Sequence, residues 1–143
     1  MSGFTKTELL LISIIFILLS IILYTQLYEC FNDNDPKIIE LKKKISIVFP
    51  KIMELKIYKS EGKSYTINKH KVYICLNDEK GEYYDDNMLI YVLLHEYSHV
   101  LCDEIGHTDK FHKIFDEIIV KAIEAGIYNK NITPIKNYCE YKN

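Results

Sequence analysis

From Leu9 to Tyr28 the chain runs for twenty residues without a charge, bounded by Glu8 and Glu29. Its centre, Leu9 to Leu23, is almost entirely Leu, Ile and Phe. Twenty helical residues rise about 30 Å, the thickness of a bilayer hydrocarbon core. Tyr24 and Tyr28 stand near one end, where amphipathic rings prefer the interface. A chain of 143 residues has no core large enough to surround such a helix. The run therefore predicts one N-terminal transmembrane helix, with residues 1–29 as a membrane anchor and the lipid bilayer contacted through residues 9–28. A cleaved signal peptide has a shorter apolar region, about 7–15 residues, and a small-residue cleavage site. Leu27-Tyr28-Glu29 offers no such site, and Glu29 before Cys30 argues against a lipoprotein-type signal, so the anchor is expected to stay attached. Lys6 lies on one side of the run, and Lys37 and Lys42 to Lys44 on the other. These counts favour a cytoplasmic C-terminal domain without fixing the side.

Beyond the anchor, Phe31-Asn-Asp-Asn-Asp-Pro36 is a polar breaker, and residues 30–36 read as a linker. Residues 37–130 are expected to form one domain and residues 131–143 a tail. The chain is 48% hydrophobic and 27% charged, which excludes a disordered or collagen-like polymer. All 18 basic residues are lysine and the net charge is -2. Guanidinium forks for phosphate are thus absent, and no nucleic-acid partner is expected. Residues 37–54 show helical spacing through Ile38, Leu41, Ile45 and Val48 or Phe49. Short strands are predicted at 55–59 and 64–68 around the turn Glu61-Gly62, and a third at 70–76, where Val72, Ile74 and Leu76 alternate with Tyr73 and Cys75. Asn77 to Asp86 reads as a loop. Helices follow from about Asp86 to Cys102 and from Thr108, a plausible N-cap, to Ala125, with Gly126 in the stop position. The fold class expected is α+β: a small β-sheet packed on helices, preceded by the transmembrane helix.

The chemistry lies in Leu94-His95-Glu96-Tyr97-Ser98-His99, an H-E-x-x-H pattern. Two histidines four apart share one helical face and can direct their imidazoles at one ion. Imidazole nitrogen suits Zn²⁺. Glu96 is rotated by about 100° from His95, so it flanks the ion and can take a proton from a metal-activated water. The uncharged flanks, Val92 to Leu94 and Val100 to Leu101, mark a helix that is buried and not a solvated one. Two buried imidazoles and a buried carboxylate are costly without a shared partner. A catalytic zinc takes three protein ligands and keeps one position open. His107, after Gly106, is the favoured third ligand, because a turn lets it approach from another direction. Cys102, on the same helical face, is the rival. Asp103, Glu104 and Asp109 are read as solvated or capping.

The segment from Tyr73-Ile-Cys-Leu76 through Leu93-Leu-His-Glu-Tyr-Ser-His-Val100 and Gly106-His-Thr-Asp-Lys-Phe111 to Ala125-Gly-Ile-Tyr128 resembles the WLM and SprT-like zinc metallopeptidases. Those families pair an H-E-x-x-H helix with a later histidine followed closely by Phe. The resemblance spans about residues 70–128. It implies a minimal gluzincin-type fold, Zn²⁺ as cofactor, His95, His99 and His107 as metal ligands, Glu96 as general base, and a peptide or protein substrate.

The function expected is a membrane-anchored, zinc-dependent metallopeptidase. The alternatives are a catalytically inert zinc-binding module and a membrane-anchored interaction protein. Glu96 argues against the inert module, because a purely structural site has no use for that acid. His112 and His70 read as surface residues, and Tyr83, Tyr84 and Tyr97 are weak candidates for stabilising an oxyanion. The four cysteines form no C-x-x-C pair. On a cytoplasmic face they are expected to stay reduced; on a luminal face Cys30 and Cys139 are candidates for pairing.

Overall fold

The computed structural model describes residues 5–32 and 35–139. It separates into two compact units, Met1–Asn32 and Asp33–Asn143. The first is helix α1, Lys6–Asn32. Every large apolar side chain on it from Leu9 to Leu27 is exposed. Within it, Lys6–Tyr28 is long and apolar enough to cross a membrane. The hydroxyls of Ser13, Ser20 and Thr25 bond back to the carbonyls of Leu10, Phe16 and Ile22, so these three need no partner from outside the helix.

The second unit is α+β. Its elements are α2 (Pro36–Ser46), a 3-10 turn (Pro50–Glu54), β1 (Lys56–Ser60), β2 (Tyr65–Ile67), β3 (Lys71–Cys75), α3 (Asp86–Leu101) and α4 (Asp109–Glu124). The helix expected over 37–54 is thus two pieces. Pro50 disfavours the α conformation at the residue before it, and Phe49 sits at φ -124°, ψ 73°. Only Ile38, Leu41 and Ile45 of α2 are buried; Ile47, past its end, is exposed.

The strands lie where the alternation puts them, but β1 and β2 do not pair around Glu61-Gly62. The sheet order is β1-β3-β2, with β3 parallel to β1 and antiparallel to β2. The middle place goes to the strand with most to bury: Val72, Ile74 and Cys75 of β3 are all buried. Tyr58, Tyr73 and Tyr65 form a row across one face, Tyr65 stacking on Tyr73 at 4.8 Å.

Helix α3 packs against α2, α4, β2 and β3. Asp85 caps its start by accepting from the Met88 amide at 3.0 Å. Nine of its residues are buried, from Met88 to Ser98, which explains the uncharged flanks. Thr108 caps α4 through the Phe111 amide at 3.3 Å. Lys37 in the first turn of α2 and Lys44 in its last both pair with Asp86, tying the length of α2 to the start of α3.

After α4 the chain continues to Cys139 without regular structure but stays attached to the domain. The Asn87 side chain accepts from the Asn129 amide at 2.7 Å and donates to the Asn129 carbonyl at 3.1 Å. The Cys139 amide donates to the Tyr84 hydroxyl at 3.1 Å. Cys139 forms a disulfide with Cys75 at the end of β3, not with Cys30, whose side chain lies outside those described. The Cα atoms are 6.3 Å apart, inside the span a disulfide bridges.

This bond closes a loop with a sequence separation of 64 residues. In the chain-entropy account such a loop is worth about 4 kcal/mol, drawn from the unfolded state. Cys139→Ser is expected to lower the unfolding free energy by up to about that amount. Denaturant unfolding of both proteins in detergent micelles checks it; an unchanged midpoint would refute it.

Candidate metal centre

Helical spacing on α3 stacks His95 and His99 one turn apart, with ring centroids 5.0 Å from each other. Helix α3 ends at Leu101, and Cys102 caps it by donating its amide to the Ser98 carbonyl at 2.9 Å. The chain then turns back through Gly106, which has φ +85°. Nothing lies within 4 Å of a side chain built there, so backbone conformation and not space favours glycine. That reversal brings His107 over α3. Its Nε2 lies 3.0 Å from Nε2 of His95 and 3.2 Å from Nε2 of His99.

The spacing is informative. Two atoms bound at 2.0–2.1 Å to a tetrahedral centre stand about 3.3–3.4 Å apart. The two separations from His107 Nε2 come close to that edge length, and the three ligand atoms all lie within 4.8 Å of one another. A shared cation would take up lone pairs that converge in this way. His95, His99 and His107 thus form a cluster able to hold a metal ion.

Burial prepares two of the rings for that role. The His95 pKa is pushed down to about 4, first by desolvation and then by the neighbouring His99, His107 and His112. His99 is lowered by burial and by His107. Both shifts favour the uncharged imidazole, the form that offers a lone pair to an ion. Phe111 of α4, 1% exposed, forms the wall behind all three. Its ring centroid is 5.0, 4.2 and 4.8 Å from those of His95, His99 and His107.

Glu96 is 5% exposed and sits beside this cluster. Burial raises its pKa, and a hydrogen bond from Thr66 works against that rise. The Thr66 hydroxyl lies 2.7 Å from Glu96 Oε2. The three imidazoles and Glu96 line a cleft of about 620 Å³ whose other walls include Tyr65 and Thr66 of β2 and Ile105 of the turn.

Of the other residues considered from the sequence, Glu104 lines the same cleft, and those that follow lie elsewhere. Cys102 is fully buried and outside the ligand cluster. Asp103 pairs with Lys110 at 2.6 Å. His112 is exposed, its ring 6.3 Å from His107, and His70 is exposed. Tyr97 is buried with its ring 6.0 Å from Phe49. Tyr83 reaches Asp35, and Tyr84 the tail. The tyrosine in the cleft is Tyr65, which nothing in the sequence distinguishes from the other eleven.

No family model matches the chain. It is 50% identical over 80 residues to the uncharacterized protein 136R of Invertebrate iridescent virus 6, covering 54% of this chain and 45% of that protein. It is 44% identical over 86 residues to the uncharacterized protein 042R of Invertebrate iridescent virus 3, covering 59% and 54%. With the uncharacterized protein R325 of Acanthamoeba polyphaga mimivirus it shares 37% identity over 106 residues, covering 70% and 54%. The chain spans about half the length of these curated relatives. Among solved structures its fold is similar to that of Wss1 from Saccharomyces cerevisiae, with TM-score 0.51 and 20% identity over 61% of this chain and 77% of that one. A Wss1 mutant gives TM-score 0.50 at 18% identity, covering 68% and 89%. The likeness is one of fold.

A metal held by three imidazoles is lost when any one is removed. In zinc stoichiometry measurements, His95→Ala, His99→Ala and His107→Ala are each expected to lose most bound zinc, while Cys102→Ser keeps it. Zinc retained by His107→Ala but lost by Cys102→Ser would reverse the assignment of the third ligand.

Proposed function

We propose that this chain is a zinc-dependent metallopeptidase anchored to a membrane through residues 9–28. The observation that carries the reading is the convergence of three Nε2 atoms beside a buried carboxylate at the floor of an open cleft. His95, His99 and His107 would hold the ion. This leaves a fourth position for water or substrate, as catalytic zinc requires. Zinc bound there supplies Lewis acidity, which polarises a scissile carbonyl and acidifies water. Glu96 takes the proton of the attacking water and returns it to the leaving nitrogen. Burial moves its pKa upward, the direction that favours proton transfer closer to neutral pH. The fold shared with Wss1 supports the reading at the level of architecture. The substrate class is peptide or protein.

The anchor has its own support. A helix with every large apolar side chain exposed, and no charge between Glu8 and Glu29, is stable against lipid and costly in water.

Two experiments test these statements. Glu96→Gln keeps the size of the side chain and removes the base. It is expected to bind one zinc while hydrolysis of a peptide library falls by roughly two or more orders of magnitude. Equal hydrolysis by both proteins would exclude Glu96 as the base, and zinc binding without hydrolysis by either would favour the inert module. For the anchor, the full-length chain should stay with the membrane pellet after carbonate extraction; its release as an intact chain would refute the span.

A further inference from the structure

Thr66 is the middle residue of β2, and its backbone pairs with Val72 of β3. Strand alternation sends its neighbours Tyr65 and Ile67 to one face of the sheet and Thr66 to the other. Tyr65 confirms the sense of that alternation by stacking on Tyr73. Thr66 is thereby aimed at α3, where both of its polar contacts fall on one residue. Its Oγ1 is 2.7 Å from Oε2 of Glu96 and 3.2 Å from the Glu96 main-chain oxygen. A hydroxyl has one proton to give, and the carboxylate oxygen is both the nearer and the stronger acceptor.

Among the described residues the Thr66 hydroxyl gives the Glu96 carboxylate its one hydrogen bond, on Oε2, so the two oxygens are unlike. A glutamate turns about three side-chain bonds, and one that must face a reacting water needs something to stop that rotation. Threonine is suited to this, because branching at Cβ restricts χ1 and the strand ladder fixes its backbone.

We propose that Thr66 is a positioning residue of the site: its hydroxyl anchors Oε2 of Glu96 and leaves Oε1 as the oxygen that accepts the proton. The inference rests on the metallopeptidase reading for the role of Oε1. The anchoring bond itself stands on the geometry alone.

The test has two arms, both on the full-length chain in detergent micelles. The first is a double-mutant cycle of metal-free protein: Thr66→Val, Glu96→Ala and both together, unfolded by guanidinium. A hydrogen bond to a carboxylate predicts that Thr66→Val raises the unfolding constant roughly tenfold or more in the parent, and far less once Glu96 is absent. Additive effects would overturn the proposal whatever the enzyme does. In the second arm the zinc-loaded proteins cleave the best substrate of a fluorogenic peptide library. Thr66→Val should keep one zinc and its KM while kcat falls about 10–100-fold, and Thr66→Ser should recover most of that loss. A parent-like kcat in Thr66→Val would overturn the proposal. So would a Thr66→Ser variant as slow as Thr66→Val. Coupling in the cycle with no hydrolysis by the parent would instead sink the peptidase reading and, with it, the role of Oε1. An uncoupled cycle beside an active parent sinks the Thr66 assignment alone.

Discussion

The burial of α3 is the constraint on which the rest of the domain depends. Helices α2 and α4 and the strands β2 and β3 all pack against it, so most of its surface faces protein. An ordinary buried helix would be apolar throughout. This one carries Glu96 and Ser98 fully inside and His95 half-buried. Each unpartnered polar group so placed costs about 1–3 kcal/mol. The structure answers each one separately. Ser98 donates to the Leu94 carbonyl at 2.8 Å, Glu96 accepts from Thr66, and His95 meets His107 at 3.0 Å. The site is the set of partners that a buried polar helix demands.

How much of this is legible in the sequence follows from how far apart the partners lie. The pairing of His95 with His99 is four residues of helix, and any helix produces it. The cap at Thr108 and the turn at Gly106 are equally local. These features are read correctly because backbone geometry alone fixes them. Phe111 is intermediate: it comes four residues after His107 and is part of the family resemblance, but only tertiary packing places its ring against all three imidazoles.

Long-range features left no such mark. Thr66 and Glu96 are thirty residues apart, and a threonine in a short strand looks like any β-branched residue. The link between Cys75 and Cys139 spans 64 residues, and four cysteines allow three connectivities. The sheet order was hidden for a related reason. Alternation locates strands, but which strand takes the centre depends on how much each must bury, and β3 outweighs its neighbours only once the core is assembled. The break before Pro50 is a different case: the local signal was present, and helical spacing through Ile45 overrode it in the reading.

The three imidazoles differ in how firmly the protein holds them. His95 and His99 ride on a helix whose position the core fixes, and Phe111 backs both. His107 is exposed and comes from the turn after Cys102, where Asp103 to Gly106 are exposed too and no regular structure intervenes. The hydrogen bonds that one neutral imidazole can give the other two are limited to a single donated proton. Without an ion, then, the position of His107 depends on the turn itself and on its contact with Phe111 at 4.8 Å. An ion shared by all three would tie that turn to α3. Part of its binding free energy would therefore appear as order in residues 102–107, of which Glu104 to His107 also form one wall of the cleft. Metal binding there would also set the shape of the cleft, because the same three imidazoles govern both.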